Sequence, residues 1–211
     1  MHPYIEDPFE IERKSFEIIH EEMKNTQLEP VRLQVMKRVI HTTTDFIFED
    51  ILWFKDGIEQ QLMAALKEGC TIVTDTEMIK AGISKKLLET FGAKVECYVA
   101  HPRAHEIAGV QGITRSMAAV DLALEQPGKK IFVIGNAPTA LYRIMEKVEA
   151  GEKDIVGVVG VPVGFVGAQE SKDALWETDI PCMITKGRKG GSTVAVAIMN
   201  ALLREAVKTL E

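Results

Sequence analysis

Five short runs rich in β-branched side chains punctuate the chain, at residues 71–74, 94–99, 130–134, 155–161 and 181–185. Runs such as Ile131-Phe132-Val133-Ile134 show no polar alternation, which is the pattern of strands covered by helices on both faces. Between the runs the apolar period becomes helical, over residues 84–91, 112–125, 138–149 and 168–177. Strands alternating with helices predict βαβ crossovers. The expected fold is therefore α/β: a three-layer α/β/α sandwich around a mainly parallel five-stranded sheet.

The first sixty-odd residues read differently, as mostly helical. Asp7, Pro8 and Glu10 stand in the order of N-cap, first-turn proline and capping-box acid, predicting a helix to about Met23. A second helix is expected over residues 57–67, closed by Gly69. The stretch between them holds Pro30, His41 and three consecutive threonines, and its pattern assigns no element. No repeat, low-complexity tract or linker interrupts the chain. One domain over residues 1–211 is expected, with a helical segment of about 1–68 packed on an α/β core of about 69–211.

Composition narrows the classes. A chain of 211 residues, 46% hydrophobic and 27% charged, is in the range where one core supports folding. Cys70, Cys97 and Cys182 are odd in number and far apart, so neither a disulfide framework nor a thiolate metal site is suggested, and a reducing cytoplasm is expected. The polar, acidic start lacks the apolar core of an export signal. Residues 155–168 are the most apolar stretch, but four glycines and a proline interrupt it. That stretch also falls short of the roughly 20 residues needed to span a bilayer. A formal charge of −6 disfavours nucleic acid, whose phosphates need a basic surface. An anionic small molecule remains compatible if cations gather locally.

Ligands in open parallel sheets bind beyond the carboxyl ends of the strands, which directs attention to three turns. Gly135-Asn136-Ala137-Pro138 follows the third strand, where a first-turn proline would leave neighbouring amides facing a ligand; a tight turn accounts for it equally well. Residues 160–168 are glycine-dense enough for a flat ligand, or another backbone, to approach closely. Residues 186–193, containing Arg188, Lys189, Gly190, Gly191 and Ser192, run straight into a long apolar helix from Val194 to about Lys208. Amides, a positive helix end and three cations make this the best anion site, against a plain Ser/Thr-capped helix start. It is no P-loop, because Gly191 stands where that motif needs lysine.

His41 lies among hydroxyls and a carboxylate, and histidine is the side chain best suited to move protons near neutrality. A structural histidine fits the same residues. His101 and His105 have metal-ligand spacing, but Pro102 and the lack of a third ligand oppose a metal site. Arg115 stands near a helix start, where the dipole disfavours a cation, so it is either an anion ligand or a surface residue. No Gly-x-Ser-x-Gly elbow surrounds Ser116.

Residues 38–45, 135–141 and 160–168, with Ser171-Lys172 and 187–192, closely resemble the precorrin-8X and cobalt-precorrin-8 methylmutases, in order and spacing along nearly the whole chain. The resemblance implies a flavodoxin-like fold, a homodimer with a corrinoid held near the subunit interface, no organic cofactor, and isomerisation by moving a methyl group from C-11 to C-12. It places the family's proton donor on His41. The substrate is a polycarboxylate, so Arg38, Arg115, Arg188 and Lys189 become its candidate partners, with Ser15, Thr76 and Asn136 lining the pocket. One departure is Thr44, where the family commonly has glycine. A corrinoid carrier without turnover and a flavin- or nucleotide-binding protein are the competing readings, the second suggested by the strand pattern alone.

Overall fold

The computed structural model describes residues 4–210; Met1 to Pro3 and Glu211, the ends of the expected domain, lie outside the described residues. The chain opens with α1 (Pro8–Glu22), α2 (Pro30–Thr43), α3 (Phe48–Ile51), β1 (Leu52–Phe54), α4 (Ile58–Lys67) and β2 (Thr71–Thr74). It continues through α5 (Glu77–Gly82), α6 (Lys85–Phe91), β3 (Lys94–Cys97), α7 (Pro102–Gln111), α8 (Arg115–Leu124) and β4 (Lys130–Ile134). The last elements are α9 (Pro138–Glu149), β5 (Ile155–Gly160), α10 (Ala168–Glu177), β6 (Cys182–Thr185) and α11 (Ser192–Lys208).

The sheet has six strands in the order β1-β6-β5-β4-β2-β3. The five expected strands pair in parallel with the doubly wound order of the flavodoxin type, and the sandwich stands. The sixth, β1, is a correction to the count: it pairs antiparallel with β6, Leu52 opposite Thr185 and Phe54 opposite Met183. Only three residues long and entered directly from the single turn α3, it leaves no period to read in the sequence.

Side chains alternate between two cores along each strand. Ile72, Ile131, Val133, Val159 and Met183 join the core beneath α2, α4 and α11. Val73, Phe132, Ile134, Val158, Cys182 and Ile184 join the core beneath α8, α9 and α10. The central strands are thus buried on both faces, which is why their sequences carry no polar alternation.

The unassigned stretch is helical. Pro30 occupies the first turn of α2, where its missing N–H costs nothing, and the Glu29 carboxylate accepts from the Val31 and Arg32 amides. At the far end the Thr42 and Thr43 hydroxyls donate back to the carbonyls of Arg38 and Val39, so these β-branched residues finish the helix rather than break it. Thr44 then turns left-handed at φ 52° and ψ 34°, the one non-glycine residue of positive φ among those described. A β-branched residue there is strained. Thr44→Gly is expected to raise stability by about 1 kcal/mol, since αL costs an L-residue roughly 1–2 kcal/mol and glycine's extra unfolded-state freedom takes back part of that. A urea midpoint at or below wild type would show the turn to be unstrained.

Candidate active site

The turn beyond β4 crosses the place where the strand order reverses, the usual ligand crevice of a doubly wound sheet. There the expectation of free amides fails. The Asp75 carboxylate, one residue past β2, accepts from the amides of Gly135 (2.9 Å), Asn136 (2.8 Å) and Ala137 (2.6 Å). The protein's own anion therefore fills the position that a nucleotide phosphate would need at the start of α9. Burial pushes the Asp75 carboxyl above its ordinary range, and the three amides pull against that shift. Gly135 keeps this turn close to α11: a Cβ there would stand 3.0 Å from the Ser192 backbone.

The anion site expected after β6 is open. Gly191, not Ser192, is the N-cap of α11, and no side chain caps the helix. The amides of Ser192, Thr193 and Val194 have no acceptor among the described residues. The Ser192 hydroxyl is instead paired with that of Thr76 at 3.1 Å, which brings two expected site residues together across α5 and α11. Gly191 N–H donates to the Val161 carbonyl and Gly164 N–H to that of Arg188, so the turns after β5 and β6 are laced to each other. At Gly190, with φ 152°, a Cβ would lie 2.1 Å from the Val161 oxygen, so only glycine fits.

His41 lies in the last turn of α2, next to Thr42, which shares a hollow with Thr193 of α11. Its ring is exposed and lies 5.3 Å, centroid to centroid, from Phe16. It opens on a surface hollow of about 390 Å³ that Ser15, Ile18, Glu22, Thr44 and Phe46 also line. A second hollow of about 280 Å³ joins Arg38 and Thr42 of α2 to Thr193 and Asn200 of α11. Across the gap between α2 and the basic loop, Lys189 is ion-paired with Asp45.

A family model described as Precorrin-8X methylmutase matches residues 10–205. The chain belongs to that family. A cobalt-precorrin-8 methylmutase of Salmonella typhimurium is 51% identical over 206 residues, covering 95% of this chain and 96% of its own. One of Methanothermobacter thermautotrophicus is 42% identical, covering 92% of each. A crystal structure of the precorrin-8X methylmutase of Thermus thermophilus superimposes with a TM-score of 0.87 at 36% identity, over 95% of this chain and 97% of that one. The protein is thus an isomerase, a methylmutase.

In this methylmutase the expected cations are unequal. Arg38 is already neutralised, by Glu12 at 2.8 Å, and lies 4.5 Å over the Phe16 ring. That bond holds the Glu12 carboxyl below its ordinary range. Lys189 is held by Asp45, whose carboxyl it likewise lowers. Arg188 makes no ion pair among the described residues and lies over the exposed Phe165 ring, at 5.5 Å. Arg115 makes no ion pair among the described residues; its nearest polar partner is His105 Nε2 at 3.4 Å. It stands with exposed Asn136 beside the starts of α8 and α9, linked by the Thr114 and Thr139 hydroxyls, and neither residue lines the His41 hollow. His101 caps α7 through Nδ1 while His105 turns to Arg115, so the two do not converge on a metal.

Sequence reasoning missed Asp75. The signal was present, as an acid just past a strand at the reversal of strand order, but its partners are 60 residues away. It also left Lys172 as a motif residue without a role.

Proposed function

We propose that the protein moves the methyl group of precorrin-8X or cobalt-precorrin-8 from C-11 to C-12, giving hydrogenobyrinate or cobyrinate in cobalamin biosynthesis, with His41 as general acid. The cobalt form is the favoured substrate, because the Salmonella and Methanothermobacter relatives both bear its name. Exposed His41, next in the chain to Thr42, which shares a hollow with Thr193 in the uncapped first turn of α11, is the observation that carries the reading. A carboxylate arm held by the Ser192, Thr193 and Val194 amides would fix the macrocycle against α11. His41 would then protonate a ring nitrogen, making the conjugated system electron-poor and lowering the barrier to a sigmatropic shift. Ser15 and Thr76 would supply hydroxyls to the pocket.

The hollows around His41 are open surface features, so enclosing a macrocycle calls for further surface. A second copy of the chain would supply it, and could bring Arg115 and Asn136, which do not line the His41 hollow of one copy, to the same substrate. Incubation with the cobalt or metal-free substrate tests the reading. Rearranged conjugation must change the visible spectrum, and saturable binding without that change would leave a corrinoid carrier in its place.

Replacing Arg188 and Lys189 together by glutamine is expected to weaken substrate binding by about 1–3 kcal/mol, the range of charge-assisted hydrogen bonds, and to leave the chemical step nearly intact. Absorbance titration reads this. Equal affinity for the polycarboxylate would reduce the loop to a helix start.

A further inference from the structure

Lys172 is fully buried on α10, and no carboxylate among the described residues pairs with it. Its ammonium donates to two neutral oxygens, the Lys189 carbonyl at 2.9 Å and the Thr185 hydroxyl at 3.2 Å. The adjacent Asp173 is turned to Lys186, 3.2 Å away. Of the cations in the loop above, Lys186 is thus engaged by Asp173 and Lys189 by Asp45. Burying a cation without a counter-ion is costly, so a fold that keeps one has a use for it or pays in stability.

The position of the ammonium shows the use. It lies under the basic loop and draws the Lys189 carbonyl inward, where the Thr185 hydroxyl also donates to it at 2.8 Å. In a trans peptide the C=O and the following N–H point opposite ways. The Gly190 amide is therefore aimed outward, and it has no acceptor among the described residues. It joins the free amides of Ser192, Thr193 and Val194 on the same turn.

We infer that Lys172 is a positioning residue for the anion site: its ammonium sets the loop through the Lys189 carbonyl and supplies a buried positive charge that a bound substrate carboxylate neutralises. The inference rests on the polycarboxylate-substrate reading above. Burial lowers the ammonium pKa to about 8, with Asp173 the one charged group that opposes the shift. A carboxylate bound above it favours the charged form and raises that pKa. Near and just above pH 8, binding must then draw a proton onto Lys172, whereas well below pH 8 the proton is already present.

Calorimetric titration with the product corrinoid cobyrinate, in buffers of different ionisation enthalpy, measures this uptake. Wild type should take up protons on binding, most strongly at and just above pH 8 and less as the pH falls toward neutrality. The nearly isosteric Lys172→Met should lose that component and bind about tenfold more weakly at neutral pH, the effect of one lost charge-assisted hydrogen bond. Thr185→Val, which removes a hydroxyl from the same carbonyl but keeps the ammonium, should retain the uptake. Uptake equal in wild type and Lys172→Met, or saturable binding by wild type with no uptake near pH 8, overturns the inference. The wild-type pH series alone decides if the methionine variant does not fold. Absence of any saturable binding would instead remove the substrate reading, a separate result.

Discussion

Methyl migration by His41→Ala is expected to fall by about 10²–10⁴-fold, the usual contribution of a positioned general acid, while folding and corrinoid binding stay near wild type. The separation of effects follows from where the residue sits. His41 is exposed in the last turn of α2, so no core packing is lost with its ring. The ring it packs on, Phe16, is also held by Arg38. Alanine is at least as good a helix former, so α2 should not fray. Two measurements check this: a thermal midpoint within experimental scatter of wild type, and single-turnover absorbance with substrate prebound. Wild-type turnover in the variant would end the proton-donor assignment.

How much of this could be read from the chain depends on the range of the interaction. The central strands were legible because burial on both faces writes itself into a run of consecutive apolar residues, as at Ile131, Phe132, Val133 and Ile134. The edge strand β1 was not, since its partner β6 lies some 130 residues on and three residues carry no period. The helix α2 was hidden by its own ends, a proline that belongs in a first turn and threonines that bond back to their own carbonyls. The loop after β6 was recognised as an anion site from glycines, cations and a following helix. Yet Arg38 and Lys189, alike as cations in the sequence, prove to be held by Glu12 and Asp45, and neither pairing has a local signature. A substrate carboxylate would have to compete with those acids, which leaves Arg188 and the free amides as the groups that meet it at least cost.

The largest effect on stability is expected at Asp75. Asp75→Ala strands three amides at the reversal of strand order, two of them buried, and an unsatisfied buried donor costs about 1–3 kcal/mol. A loss of at least about 2 kcal/mol is therefore expected, a large share of the stability of an ordinary domain. The same geometry predicts a partial rescue. With the carboxylate gone, the amides of Gly135, Asn136 and Ala137 converge on an emptied anion position at the start of a 12-residue helix, an arrangement that binds phosphate. Inorganic phosphate should accordingly raise the unfolding temperature of Asp75→Ala more than that of wild type, whose own anion excludes it; any phosphate held at the start of α11 raises both alike. Urea unfolding reads the first effect and a phosphate titration of the thermal midpoint reads the second. A wild-type urea midpoint would show that the three bonds add nothing net. Equal phosphate shifts in the two proteins would show that Asp75 does not occupy the position a bound phosphate would take, and would reopen the crevice to a nucleotide or flavin.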